Sequence, residues 1–278
     1  MKPVESIDTV DLFPLERQRL LALLAGLSPD EWQRPTACPG WSVKDVTLHL
    51  FGDDVGLLSR NPDFTFPVVA GSEIGWDELV AFINQANAVW VEATRRIGTD
   101  LLLKLLAFTG AEVHHRLSEL DLDAIGEPVN WAGPDPAPIW LDVAREYTER
   151  WMHQQHIREA VGAPTLIEPP LFAPVLDAFA RALPHTYRNV SAPAGTLLTF
   201  TINGPAGGAW CLQRRAAGWQ LFTGPAAHPP TASVTVDQDI AWRIFTKGIS
   251  PAEAEATAKL GGELALARPA LQTVAIIA

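Results

Sequence analysis

Residues 147–162 read YTERWMHQQHIREAVG and residues 39–50 read PGWSVKDVTLHL. These two stretches decide the fold of the first half of the chain. Each carries apolar residues at helical spacing, and each puts metal-binding side chains on the helix it predicts. The long helix is expected from about Ile139 to Val161. At about 100° per residue, Trp140, Val143, Ala144, Tyr147 and Trp151 fall on one side of it, and Asp142, Arg145, Glu146, Glu149, His153 and His156 on the other. Glu149 and His153 are four apart, one turn along the same face, so a carboxylate oxygen and an imidazole nitrogen can approach one ion. His49, on the earlier helix, is the independent third group. Two such helices side by side would make His49, Glu149 and His153 a three-ligand site with an open position.

The ordinary reading of the same residues stands beside this one. A polar stripe opposite an apolar stripe is commonly a solvated face. A lone histidine beside Val43, Val46 and Leu50 is commonly a hydrogen-bonded core residue. Asp53, one turn after His49, reads as a partner of that ring or as a surface acid. Two imidazoles and a carboxylate suit zinc and admit nickel, manganese or iron. Three protein ligands leave a position open, the pattern of catalytic zinc. His156 reads as a substitute ligand or as a group orienting one.

Outward from these helices, the pattern divides the chain. A first helix is expected over Asp11–Leu27, ending before Ser28-Pro29. The second has a start signal: Ser42 as N-cap, Asp45 three residues on, and Trp41 and Val46 placed as a hydrophobic staple. A third is expected over Trp76–Ile97 and a fourth over Leu101–Leu120, interrupted near Gly110. Residues 126–138 are rich in Gly and Pro and read as a loop. Gly162 and Pro164 end the long helix. Pro164–Pro170 reads as a linker. Beyond it come a helix over Leu171–Leu183 and short strands at Leu197–Ile202, Ala209–Arg214, Trp219–Phe222 and Ser233–Val236. Helices follow at Ile240–Thr246 and Pro251–Lys259, then a last strand over Leu271–Ile277. The expected organisation is therefore a helical domain over 1–163 and an α+β domain over 171–278.

Composition narrows the function. The chain has 278 residues, 47% apolar and 19% charged, which is ample for a packed core. Its formal charge is −11 and no basic run occurs, so a nucleic-acid partner is not expected. The run Leu101–Phe108 is too short to span a bilayer and contains Lys104, and the first residues lack a signal-peptide core. Two cysteines, Cys38 and Cys211, imply no disulfide framework, and a cytoplasmic location is the simplest expectation. GxGxxG, Walker, HExxH and GxSxG motifs are absent.

At TACPGWSVKDVTLHL (36–50) and YTERWMHQQHIREAVG the sequence resembles the mycothiol-dependent maleylpyruvate isomerase family, a branch of the DinB-like metalloproteins. The likeness extends loosely over Leu12–Gly162, with Trp131–Gly133 also similar. The resemblance implies a DinB-like four-helix bundle holding a divalent ion, zinc first, through His49, Glu149 and His153. It also implies a low-molecular-weight thiol such as mycothiol. ASVTVDQDIAWRIFTKG (232–248) and GGELALA (261–267) are similar to the small sterol-carrier-like α+β domain that often follows this bundle. In the isomerase an arginine of that domain takes part in catalysis. Relatives often read TGR where this chain has Thr246-Lys247-Gly248, so Lys247 or Arg243 is the candidate catalytic cation. Lysine lacks the bidentate fork of arginine, which puts the isomerase's own substrate in question.

Three functions follow. In the first, a thiol ionised at the metal attacks a small electrophile, and Lys247 or Arg243 holds its carboxylate. The result is isomerisation or S-transfer. In the second, metal-activated water makes the chain a hydrolase. In the third, the C-terminal half binds an apolar ligand without turnover. Cys38, in a Pro-Gly loop just before a helix N-terminus, reads first as a packing residue and second as a somewhat acidic thiol; Cys211 reads as core, and His114-His115 as a surface pair.

Overall fold

The computed structural model describes residues 1–60, 75–226 and 228–276. The chain separates into two compact units. One comprises Met1–Thr9, Asp121–Thr148 and Ile167–Ile277, and the other Val10–Leu120 and Glu149–Leu166.

In chain order the elements are β1 (Lys2–Pro3), α1 (Leu12–Ala25), α2 (Val43–Ser59), α3 (Trp76–Thr94), α4 (Thr99–Ser118) and α5 (Ile139–Val161). After them come α6 (Pro169–Ala180), α7 (Leu183–Thr186), β2 (Leu197–Asn203), β3 (Gly208–Arg215), β4 (Gly218–Thr223) and β5 (Ala232–Asp237). The chain closes with α8 (Gln238–Phe245), α9 (Pro251–Thr257), β6 (Lys259–Gly262) and α10 (Leu264–Ala267). Among the described residues, no helix is long and apolar enough to cross a membrane.

The helical unit is built on α4, which packs against α1 and α2, while α3 packs against α2. Leu20 and Leu24 of α1, Val46, Leu48 and Leu50 of α2, Leu102 and Leu106 of α4 and Ile157 of α5 share one buried core. Helix α2 begins as its sequence dictates. The Asp45 amide donates to Ser42 Oγ (3.3 Å), and the Ser42 amide donates to Asp45 Oδ2 (3.0 Å). Helix α4 runs without the interruption expected at Gly110. The glycine is there because Arg17 crosses it: a Cβ would lie 3.0 Å from Arg17 Cγ.

The other unit holds a mixed sheet ordered β1-β4-β3-β2-β5-β6, in which β2 and β5 are parallel and the other neighbours antiparallel. Helices α6 and α8 cover it. Phe245 of α8 lies with its ring centroid 5.5 Å from Phe179 of α6 and 5.9 Å from Phe200 of β2. The strand expected at the C-terminal end does not form. Arg268–Gln272 is a 3₁₀ turn, and the following residues run without a strand partner, with the Ala275 amide donating to the Phe245 carbonyl (2.9 Å). Residue 277 lies outside the described residues.

Candidate metal centre

His49, Glu149 and His153 all belong to the helical unit, and their ligand atoms lie within 4.8 Å of one another. His153 Nε2 is 3.0 Å from Glu149 Oε1, and His49 Nε2 is 3.8 Å from the same oxygen. The two imidazoles meet edge to face, centroids 4.7 Å apart. Both rings are buried, whereas the Glu149 side chain keeps 27% of its exposure, so solvent reaches the group from the carboxylate side. The face carrying Glu149 and His153 is thus not simply solvated.

Local sequence accounts for each position. The cap at Ser42 fixes the start of α2 and the azimuth of His49. Trp41, just before the cap, lays its ring 5.1 Å from the His49 ring. Asp53 Oδ2, one turn on, is 3.4 Å from His49 Nε2. Glu149 and His153 project together because they are one turn apart on α5.

Electrostatics follow from this crowding. Burial alone would raise the Glu149 carboxyl pKa, but the hydrogen bond from His153 and the nearby His49 ring hold it well below the usual range. Burial alone would lower the His153 pKa. Its contacts with Cys38 and Glu149 outweigh that and push it to about 10.

The donor set fits a divalent ion. Tetrahedral zinc with bonds of about 2.0–2.1 Å spaces its donors about 3.4 Å apart. The observed 3.0 and 3.8 Å bracket that value. Two imidazoles and a carboxylate are also the ligand types such an ion takes.

Lys247 and Arg243 belong to the other unit. Arg243 is on α8, its guanidinium 4.4 Å from the centroid of the Trp242 ring. Lys247 is exposed and follows α8 at φ 59°, in the left-handed region. The Gly248 amide donates to the Arg243 carbonyl (2.7 Å) and the Lys247 amide to the Ile244 carbonyl (3.3 Å), the Schellman cap that usually takes glycine where Lys247 stands. His114 and His115 pair with Asp11 (3.6 Å) and Glu119 (3.7 Å).

Sequence reasoning missed two features beside the centre. Cys38 Sγ lies 3.3 Å from His156 Nδ1 and 3.7 Å from His153 Nδ1, so it is more than a packing residue. A buried ionic cluster also underlies α2. Arg17 grips Asp54 with both terminal nitrogens (2.7 and 2.9 Å), and Arg150 (3.1 Å) and Thr109 (2.6 Å) complete the set. The signal for Cys38 was its place four residues before the Ser42 cap; Asp54 had none beyond being an acid on a largely apolar helix.

Residues 13–158, more than half of the chain, match the family model of the mycothiol maleylpyruvate isomerase N-terminal domain. The chain belongs to this family. The crystal structure of the mycothiol-dependent maleylpyruvate isomerase aligns at 12% identity with a TM-score of 0.50, covering 84% of this chain and 86% of that one. A histidine-to-alanine mutant of that enzyme aligns at 11% identity with the same TM-score. At such identity the likeness shows the fold. Two Mycobacterium tuberculosis relatives, uncharacterized proteins Rv0036c and MT0041, are each 28% identical over 203 residues, 70% of this chain and 72% of theirs. A sterol carrier protein domain 2 from Helicoverpa armigera covers 37% of the chain at a TM-score of 0.28, too low to carry an argument. In this member of the maleylpyruvate isomerase family, both motif segments bring their histidines to one place.

Proposed function

We propose that the chain is a divalent-metal-dependent enzyme that uses a low-molecular-weight thiol of the mycothiol kind. Its substrate is a small electrophile bearing a carboxylate, which it isomerises or joins to sulfur. The observation carrying this reading is the meeting of His49 with Glu149 and His153, about a hundred positions further along the chain, their ligand atoms within 4.8 Å of one another. Family membership supports the thiol. The helical segment to residue 163 is read as a DinB-like four-helix bundle and 171–278 as a sterol-carrier-like domain, with the end of the family match at residue 158 supporting that division.

Zinc at this place would supply the charge that keeps a bound thiol ionised near neutral pH. The chain's own residues prepare the place. His49 and His153 present Nε2 toward Glu149, and Glu149 adds the negative charge that a divalent ion needs. Burial of both rings limits water to the carboxylate side. Asp53, beside His49, restrains that ring. Lys247 and Arg243 are assigned to the substrate carboxylate. A non-glycine side chain held in the left-handed region costs free energy, and such positions cluster where a side chain is functionally required.

Elemental analysis of purified wild type and His153→Ala tests the metal. Bound divalent ion in the wild type and its loss in the variant support the reading, while equal content in both overturns it. Calorimetric titration with mycothiol tests the thiol: binding to the metal-loaded chain and not to the chelator-treated one is expected. Turnover without any thiol would favour metal-activated water at the same donors.

A further inference from the structure

His153 is two-faced. Its Nε2 meets Glu149, while its Nδ1 points to a different pair of donors, the Cys38 thiol and the Nδ1 of His156. We propose that Cys38, His153 and His156 form a second metal position, for a thiophilic ion such as zinc, sharing the His153 ring with the His49–Glu149 position.

The triangle of donor atoms carries the proposal. Cys38 Sγ to His156 Nδ1 is 3.3 Å, Cys38 Sγ to His153 Nδ1 is 3.7 Å, and the two Nδ1 atoms are 3.4 Å apart. Tetrahedral zinc, with bonds of about 2.3 Å to sulfur and about 2.0 Å to nitrogen, puts S and N about 3.5 Å apart and N and N about 3.3 Å apart. All three edges match within a few tenths of an ångström. Two Nδ1 atoms facing each other also need something between them, a proton or a cation.

The loop holds the thiol in place. The Cys38 amide donates to Thr36 Oγ1 (3.2 Å), the Trp41 amide donates to the Cys38 carbonyl (3.1 Å), and the Thr36 amide and hydroxyl both donate to the Trp41 carbonyl (3.0 and 2.9 Å). His153 and His156 are three apart on α5 and turn toward the loop together. Cys38 and His156 are partly exposed, which leaves a path for an ion and a fourth position for solvent or a ligand.

The two positions differ in softness. One offers two imidazoles and a carboxylate, the other a thiolate and two imidazoles, which soft ions prefer. A neutral imidazole has one free lone pair, so with neutral His153 an ion occupies one position or the other. The donor chemistry then sorts metals between them.

Cobalt(II) added to the metal-free full chain tests this, because only thiolate ligation gives an intense near-ultraviolet charge-transfer band. The band is expected in wild type, in Cys211→Ser and in His49→Ala, and it should vanish in Cys38→Ser. His156→Ala should weaken cobalt binding at this position by at least the ~10-fold lost when even an outer partner of a metal ligand is removed. Circular dichroism checks that Cys38→Ser is folded, and cadmium protection of Cys38 from alkylation in unmutated protein gives a second readout. Absence of the band in wild type, its survival in folded Cys38→Ser, or its loss in Cys211→Ser overturns the proposal. Since His49→Ala removes only the other position, failure of that site and of this one are read separately.

Discussion

Arg150 Nη2 lies 3.1 Å from Asp54 Oδ1, and both side chains are shut away from solvent. The contact ties α5 to α2 next to the candidate metal donors: Arg150 directly follows Glu149, and Asp54 stands five residues after His49. Arg17 from α1 and Thr109 from α4 bind the same carboxylate, so one acid aligns four helices. Together these contacts hold the Asp54 carboxyl below its usual range despite its burial. Removing one partner of a buried ion pair costs about 3–5 kcal/mol, because the other charges are left uncompensated. Asp54→Ala is expected to lose that much in urea denaturation. Thr109→Val deletes only the 2.6 Å hydroxyl contact and should cost about 1.5–3 kcal/mol, the range for hydrogen bonds to charged groups. It should also weaken zinc binding, read by competition with a chromophoric chelator. Unchanged zinc affinity would separate this cluster from the site.

Gly110 tests the same cluster from α4. In an open helix, Gly→Ala stabilises by about 1 kcal/mol. Here a Cβ would lie 3.0 Å from Arg17 Cγ and 3.1 Å from Arg17 Nη1. Arg17 cannot step aside cheaply, because Asp54 holds it by both terminal nitrogens. Gly110→Ala should therefore destabilise the chain by about 1–3 kcal/mol, the cost of overpacking, the sign opposite to helix propensity. A stabilised variant would show that Arg17 moves freely.

The contrast explains what the sequence disclosed. Signals confined to a few neighbouring residues were readable: the Ser42–Asp45 cap, the one-turn spacing of Glu149 and His153, and Gly162 after α5 in its left-handed conformation. Helix α5 was expected at the limits it has, Ile139–Val161. Features made by contact between distant segments were not. Gly110 looked like a break because the sequence does not show Arg17 lying across it. Cys38 looked like packing because its partners are more than a hundred residues away. Strand β6 was invisible because Gly261 and Gly262 have poor strand propensity. They are needed where β6 runs close to Ser233 and Thr231. The apolar alternation after Leu271 suggested a strand, but α8 and not a sheet edge receives it.

The thiol of Cys38 should be unusually acidic in metal-free protein. Its burial raises the pKa, but hydrogen bonds from His153 and His156 overcome that and bring it to about 6 from 9.0. The thiolate and the His153 imidazolium coexist only between about 6 and about 10. A lowered acid pKa stabilises the fold at high pH, and that contribution fades as pH falls through about 6. A raised histidine pKa stabilises at low pH, and that contribution fades as pH rises through about 10. Alkylation of Cys38 by iodoacetamide in chelator-treated protein should reach half its plateau rate near pH 6, with added zinc suppressing it. Cys211, whose thiol burial pushes upward, should stay slow throughout. A midpoint for Cys38 near that of an ordinary thiol would mean the two histidines do not face it in solution.

Lys247 gives the last test, because its fold role and its proposed chemical role pull in opposite directions. It occupies the left-handed position of the α8 cap at φ 59°, where Cβ crowding costs an L residue about 1–2 kcal/mol relative to glycine. Glycine there would relieve the strain but would lose more entropy on folding, so Lys247→Gly should raise stability by a net of about 0.5–1 kcal/mol in urea denaturation. If the ammonium holds the substrate carboxylate, the same variant should raise KM for a carboxylate-bearing electrophile while leaving metal content unchanged. Lys247→Arg keeps the charge and the strain, so it should keep both the stability and most of the binding. A more stable Lys247→Gly with unaltered kinetics would leave Arg243 as the remaining candidate for the carboxylate. A less stable one would mean that the lysine side chain makes contacts worth more than the cap strain it imposes.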